Sequence, residues 1–405
     1  MKTQSKFLVR STPPNITTLI FMAGLGALAT NMHLPALSSM ADWFGASYAT
    51  MQLSVSAFLG ATAVVQLIIG PLSDRYGRRP VYLTSLIILI VASLACAAVS
   101  QIEFFLFFRV IQTIATGGMV LSRAVVRDMV PMEKAASMIG YVTMGMTLIP
   151  MVGPVAGGYL GSEFGWQAIF ISQAAMGLVV LILSYFDLGE TNANPSSSFS
   201  RQFRDWPELF GSRRFWGYTF TATFTTSGYY VFLGGAPYVG STTLGLEDAL
   251  LGYALAVPAI GYIVGNFLSG RFAATAGVNV MMTSGAVSAT LGILTSLLLF
   301  AFGYHTAVSF FGPLTLIGFG NGLTLPSANA GMVSVRPHLA GSASGLGGAV
   351  TIGGAALLAA ITGALLTPER GALLLLGIML LTGILSLAST LYVWSIDRRE
   401  GALAR

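Results

Sequence analysis

Charge is scarce in this chain. Of its 405 residues only 20 are basic and 15 acidic, together 9%, where a soluble domain carries about 25%. A soluble enzyme, a disordered tail and a basic nucleic-acid binder each need polar surface that is missing. Cysteine is almost absent too. Cys96 stands alone, so no intrachain disulfide and no cysteine metal cluster is possible. Nor is there a phosphate loop, a nucleophile elbow in strand context or a His/Asp/Glu set at metal-ligand spacing. The sequence therefore points to no enzyme, no cofactor and no metal, and any energy for its work must come from a gradient.

What is abundant is apolar. Hydrophobic residues make up 54% and glycine adds 48 positions, the composition of a membrane protein. Apolar runs separated by charged or Pro/Gly-rich breaks predict an all-α polytopic fold with twelve transmembrane helices. The expected spans are 16–38, 50–72, 81–99, 104–126, 136–161, 166–186, 215–239, 249–270, 279–300, 306–328, 339–363 and 371–393. The run from Ile16, preceded by Lys2, Lys6 and Arg10, reads as a retained first span. One long polar insert, 187–214, divides the chain into six spans and six. The expected organisation is thus an N-terminal bundle at 1–186, a cytoplasmic linker at 187–214 and a C-terminal bundle at 215–405.

Short cytoplasmic loops collect Lys and Arg. With both termini cytoplasmic, every basic residue except Arg109 and Arg370 falls on the inner side, so that orientation is expected. A faint repeat links the halves: Gly70-Pro-Leu-Ser-Asp-Arg-Tyr-Gly-Arg-Arg79 follows span two, and Gly265-Asn-Phe-Leu-Ser-Gly-Arg271 closes span eight. Repeated halves suit alternating access, in which one bundle rocks against the other around a central site.

An ionisable group at membrane depth is expensive and marks function by default. Arg109 lies in span four with Gln112 one turn on. It must reach a polar cavity and acceptors, or else snorkel to the outer interface. No Asp or Glu lies clearly inside a span. Span one offers Asn31 and His33 instead, and His33 is the one titratable group there near physiological pH, unless it is simply a satisfied core residue. In the loop after span two, Gly70 and Gly77 permit a tight turn. Asp74 can cap a helix or accept from an arginine, and Arg75, Arg78 and Arg79 hold the loop inside. Arg123, Arg127 and Asp128 could extend this cluster as a conformational latch, and topology alone is the other reading. In span five Gly153, Pro154, Gly157 and Gly158 predict a bent, closely packed helix at the moving interface. Tyr229 and Tyr230 in span seven, Tyr253 in span eight and Asn321 in span ten could line a site for a largely apolar solute.

These residues carry a resemblance over essentially the whole chain. Gly70 to Arg79, Arg109-x-x-Gln112-x-x-x-x-Gly117, Gly153-Pro154 through Gly157-Gly158, and Leu339-Ala-Gly-Ser-Ala-Ser344 are similar to motifs of the major facilitator superfamily. Within it the chain resembles the bicyclomycin/chloramphenicol-resistance branch of drug/proton antiporters. The resemblance implies a bacterial inner-membrane exporter of small amphipathic compounds, exchanging them for protons through Arg109, His33 and Asp128. Substrate contacts would come from Asn31, His33, Arg109, Gln112, Tyr229, Tyr230, Tyr253 and Asn321. Its implied partners are a small-molecule substrate, protons and the bilayer, with no nucleic acid, and a monomer is expected. The chain departs from that branch in span one, where Asp-Met-Tyr-Leu-Pro is typical and Asn31-Met-His-Leu-Pro35 stands here. That departure keeps a second reading open, an uncoupled facilitator or importer of a neutral or weakly anionic metabolite.

Overall fold

A computed structural model describes residues 7–129, 138, 142, 149–192, 206–336, 339–367 and 371–403, all helix, turn or loop. The helices before residue 188 are α1 (Ile16–Asn31), α2 (Leu37–Phe44), α3 (Tyr48–Tyr76), α4 (Arg78–Ala98), α5 (Ile102–Gln112), α6 (Gly117–Met129), α7 (Ile149–Phe164) and α8 (Trp166–Asp187). After them come the short α9 (Trp206–Phe210), then α10 (Arg213–Tyr238), α11 (Asp248–Ala276), α12 (Val278–Ala301), α13 (Ala307–Ser334), α14 (Ala340–Leu365) and α15 (Gly371–Leu403).

Local chemistry sets these boundaries. Asn15, Ser47 and Ser212 cap α1, α3 and α10 by accepting from the amides of Thr17, Thr50 and Phe215. Thr306 and Ser309 form a reciprocal capping box at α13. Gly77 and Gly277 precede α4 and α12 with φ of +98° and +88°, a conformation costly for any other residue. The first span breaks at His33, where Pro35 in the 3-10 turn Leu34–Ala36 has no N–H to continue α1.

Ten helices among the described residues are long and apolar enough to cross a membrane. Two of the twelve expected spans are not among them, for different reasons. Eleven of the residues in 136–161 lie outside the described residues, and its continuous described part belongs to α7. Helix α10 has the length, 26 residues, but Thr219, Thr221, Thr223, Thr225, Thr226 and Ser227 dilute its hydropathy. The middle of the expected linker, 193–205, also lies outside the described residues.

Each half ties its first helix to its last through a carboxylate. Asp187, fully buried at the end of α8, accepts from Leu8 N–H (2.8 Å), Asn15 N–H (2.7 Å) and Thr18 Oγ1 (2.6 Å). Asp397 near the end of α15 accepts from Arg214 Nε (2.8 Å), Tyr218 Oη (2.7 Å) and Asn279 Nδ2 (2.9 Å). These acids share one end of the molecule with the first and last described residues, here the terminal end, with the far end opposite. Between halves, α3 runs along α14 and α7 along α11. Hydrogen bonds cross the seam at the far end: Ser38 with Ser241, Ser39 to Asp248, Tyr48 to the Gly234 carbonyl, and Gln52 to the Ala359 carbonyl. A continuous apolar core from both halves, including Phe58, Trp166, Phe170, Phe232, Leu251 and Leu375, reinforces that closure.

Candidate substrate and proton site

Arg109, 1% exposed, occupies the interior of the first half. Its guanidinium donates from Nη1 to the Ala29 carbonyl (3.1 Å) and to Gln112 Oε1, and from Nη2 to the Ser54 carbonyl (3.3 Å). The remaining Nη2 contact is His33 Nε2 at 3.5 Å. The plane also lies over the Phe58 ring, 4.5 Å from its centroid, with Phe170 at 5.8 Å. A desolvated cation–π contact is worth about 2 kcal/mol, and a hydrogen bond to a charged group roughly 1.5–3 kcal/mol. Neutral dipoles and π-faces thus stand where a carboxylate would be expected. Among the described residues, no acid pairs with Arg109.

A second layer orients the first. Gln112 Nε2 donates to Ser93 Oγ (2.7 Å) and to Gln173 Oε1 (3.3 Å), and Ser93 Oγ donates to the Leu89 carbonyl (2.7 Å). The spacing Arg109-x-x-Gln112 places both on one face of α5. Ser93 and Gln173 come from α4 and α8, and neither sequence motif nor spacing singles them out.

His33, fully buried, sits at the break between α1 and α2. Arginine has only donors, so His33 Nε2 is the acceptor in their contact and the ring proton belongs on Nδ1. The same Nε2 lies 3.2 Å from Ser54 Oγ. Three buried polar atoms around Arg109 have no hydrogen-bond partner among the described residues: His33 Nδ1, Arg109 Nε and Gln173 Nε2. Asn31 donates through Nδ2 to the Ala27 carbonyl of its own helix (2.9 Å) and leaves Oδ1 unpaired. His33, Arg109 and Gln112 are therefore brought together in one buried region, while Asn31 faces Gly153 of α7.

The other candidates lie elsewhere. Tyr229 and Tyr230 pair edge to face on α10, ring centroids 5.9 Å apart, and are half-buried. Asn321 is enclosed within the second half at 3% exposure, whereas Tyr253 is 61% exposed on α11. Asp128 ends α6, roughly 28 Å of helical rise from Arg109, and accepts from Arg78 Nε at 3.1 Å.

At the terminal end the Gly70–Arg79 turn is bound within the first half. Arg78 joins Asp74, Ser73 and Asp128. Arg75 lies over the Tyr76 ring, while Arg79 donates to the carbonyls of Leu188 and Tyr185. Gly70 makes only ordinary contact with Val120, and Glu190 closes over Gly77. Glu190 also accepts from the Arg78 and Arg79 amides (2.9 and 3.1 Å), and Asn192 Nδ2 donates to the Asp74 carbonyl (2.8 Å). The first residues of the expected linker thus act as a strap on the turn, which composition alone does not reveal. Arg123 is exposed; the side chain of Arg127 lies outside the described residues. In α7, Gly153 faces Asn31, Gly157 abuts the Met32 carbonyl, and Gly158 meets Asp248 and Gly252 of the other half. Pro154 lies within the same helix.

A polytopic helical protein with a buried cation between small-residue helices belongs to the class of membrane carriers, and the comparisons place it within that class. Residues 19–360 match the Major Facilitator Superfamily, and the chain belongs to that family. It is similar to a bicyclomycin resistance protein homolog of Haemophilus influenzae, 27% identical over 85% of this chain and 89% of the relative. It is likewise similar to multidrug resistance protein D of Escherichia coli, 26% identical over 91% and 92%. Among solved structures it shares the fold of a bacterial homolog of the human lysosomal transporter Spinster in an inward-facing, unoccupied conformation. That match has a TM-score of 0.71 at 16% identity, covering 95% of this chain and 96% of the other. The protein is accordingly a multi-pass secondary transporter that works by alternating access, not an enzyme.

Proposed function

We propose that the protein exports small amphipathic compounds, phenicol- or bicyclomycin-like drugs or a metabolite of the cell, in exchange for protons. The observation that carries this reading is the Arg109–His33 contact, buried and without a neighbouring acid. His33 can accept from Arg109 only while Nε2 is unprotonated. A proton arriving there turns the acceptor into a donor and sets two cations side by side, which the low dielectric of the site makes repulsive. Relief requires α1 and α5 to shift, and this is a route by which a proton can bias the equilibrium between two conformations. Solute competes for the same region through Asn31, His33, Arg109 and Gln112, with Tyr229 and Tyr230 offering an apolar face across the seam.

The architecture we infer is twelve helices in two six-helix bundles, 1–186 and 215–405, joined by 187–214 and working as a monomer. Two features support it. Asp187 and Asp397 each bring the first and last helices of a half to the same end, which requires an even number of crossings per half. The terminal end also carries Arg75, Arg78, Arg79, Arg213, Arg214 and Arg336, so by the positive-inside rule it is cytoplasmic. The bonded far end then faces outward. The names of the relatives support drug export, and the similarity to them extends over most of the chain.

The test is transport in liposomes. Phenicols, bicyclomycin-like compounds and a metabolite panel are added with and without an imposed pH gradient, beside folded His33→Ala protein. Gradient-dependent solute movement with linked proton flux, lost in His33→Ala, is the expected result. A second reading rests on Asn31 and on the lack of an acid beside Arg109: a facilitator or importer of a neutral or weakly anionic metabolite. Solute movement indifferent to the gradient would establish that reading instead.

A further inference from the structure

Of the bonds that close the far end, the one made by Gln52 is the most enclosed. Its side chain leaves the second turn of α3 and is 1% exposed. It donates from Nε2 to the Ala359 carbonyl of α14 at 2.9 Å, across the seam between halves. The carboxamide lies between two glycines of the other half, Gly234 on α10 and Gly363 on α14. A Cβ at either position would run into the Gln52 amide. One turn earlier on the same face of α3, Tyr48 Oη donates to the carbonyl of that same Gly234 at 2.6 Å. The two glycines therefore form a slot cut to the width of a carboxamide, with a carbonyl at its floor and a phenol at its edge.

We propose that Gln52 is the key of the outer gate, seated between Gly234 and Gly363 whenever the far end is shut. This rests on the alternating access of the family and is independent of the solute and of proton coupling. The far end must part once per cycle, and the bonds that cross it are broken then. One neutral hydrogen bond plus shape is a weak latch, which suits a gate that opens repeatedly. The Gln52 Oε1 atom has no partner among the described residues in the shut state, so withdrawal from the slot lets water reach an unsatisfied acceptor and partly offsets the lost contact. The geometry also fixes a direction. A side chain at 234 or 363 evicts the amide, deprives Ala359 of its donor and favours the state in which the far end is open.

The gate can be read by the distance between spin labels on exposed Asp42→Cys, on α2, and Thr243→Cys, beyond α10, in the full chain in liposomes. Cys96 is buried and does not compete for label. Gly363→Ala is expected to raise the ratio of long to short distances roughly thirtyfold, because the methyl both breaks the hydrogen bond and crowds the amide. Gly234→Ala is expected to act in the same direction. The decisive variant is the double change Gln52→Ala with Gly363→Ala, in which the new methyl occupies the emptied slot, the crowding is gone and the ratio falls back to about fivefold above the unaltered protein, the worth of the hydrogen bond alone. An unchanged distribution in both glycine variants would overturn the proposal, and so would a double variant as open as Gly363→Ala alone. Solute exchange measured in the same vesicles reads alternating access separately, so a failed key is distinguishable from a failed carrier.

Discussion

Helices α1, α4, α5 and α8 enclose Arg109, Gln112, Ser93 and Gln173. Their counterparts α10, α12, α13 and α15 enclose hydroxyls and a small cavity instead. There Thr225 Oγ1 and Ser386 Oγ lie 2.7 Å apart, and the cavity is bounded by Gly228, Gly285, Asn321 and Thr382 among others. Both α4 and α12 start from a glycine of positive φ, so the two interiors are built on one plan. Position by position they differ: Arg109 lies seven residues past Ile102, and Leu314 lies seven past Ala307. A buried cation needs every acceptor around it prearranged, since each missing one costs about 1–3 kcal/mol. Hydroxyls satisfy themselves on their own helix backbone, as Thr221 does on Gly217 and Thr223 on Thr219, and require nothing from neighbours. One half has been committed to charge chemistry, and the other is free to specialise in shape.

The largest effect is expected from forcing the first half's chemistry on the second. Leu314→Arg puts a guanidinium at a fully buried position where no carbonyl or amide has been arranged to receive it. Destabilisation of about 3–5 kcal/mol or more is expected, read as loss of the monodisperse peak after mild heating in detergent. A stable Leu314→Arg protein would show that the halves are more alike inside than their side chains imply.

The reverse exchange is gentler on the fold and hard on function. Arg109→Met removes the cation and fills the space with an unbranched apolar chain, which is expected to change stability by no more than about 2 kcal/mol. Gradient-driven transport should fall to the protein-free baseline, measured in the liposome assay above. Retained coupling in Arg109→Met would move the chemistry away from this cluster altogether.

The smallest change sharpens the picture of the second half. Asn321 is almost fully buried, lines the cavity and makes no hydrogen bond among the described residues. Asn321→Leu replaces an amide on the cavity wall with an apolar side chain and is expected to leave stability unchanged or raise it by about 1 kcal/mol. A loss of that size would reveal that the amide is satisfied by water, and melting temperature distinguishes the two.

Arg109 was legible because an ionised residue in an apolar run must either snorkel to the interface or be received inside, and Gln112 because it follows by one helical turn. Gln173, Ser93, Ser54 and Gln52 were not. Neutral polar residues are common in membrane helices, and a helix that is apolar all round has no amphipathic stripe to say which way a given residue turns. Tyr253 illustrates the same limit, since an aromatic facing outward and one facing a cavity are identical in the sequence. Asp187 sat at the edge of the expected linker, where an acid looks like a loop residue. Its burial follows from the N-terminal segment folding back to bring three donors to it. The strap of Glu190 and Asn192 was hidden for a similar reason, because linker composition says nothing about where the linker lies.

By itself the sequence determined the solvent this protein lives in, the order and approximate limits of its helices, its family, and the cation buried within a span, Arg109. Those properties are sums over neighbouring residues: transfer free energies, turn propensities and short motifs act locally along the chain. Only the tertiary structure decided that Arg109 rests on neutral groups, that His33 is its neighbour, and that Gln52 finds Ala359 and two glycines in the other half. Such contacts join residues far apart in the chain and depend on helix rotation and depth, which close packing between helices sets and composition does not.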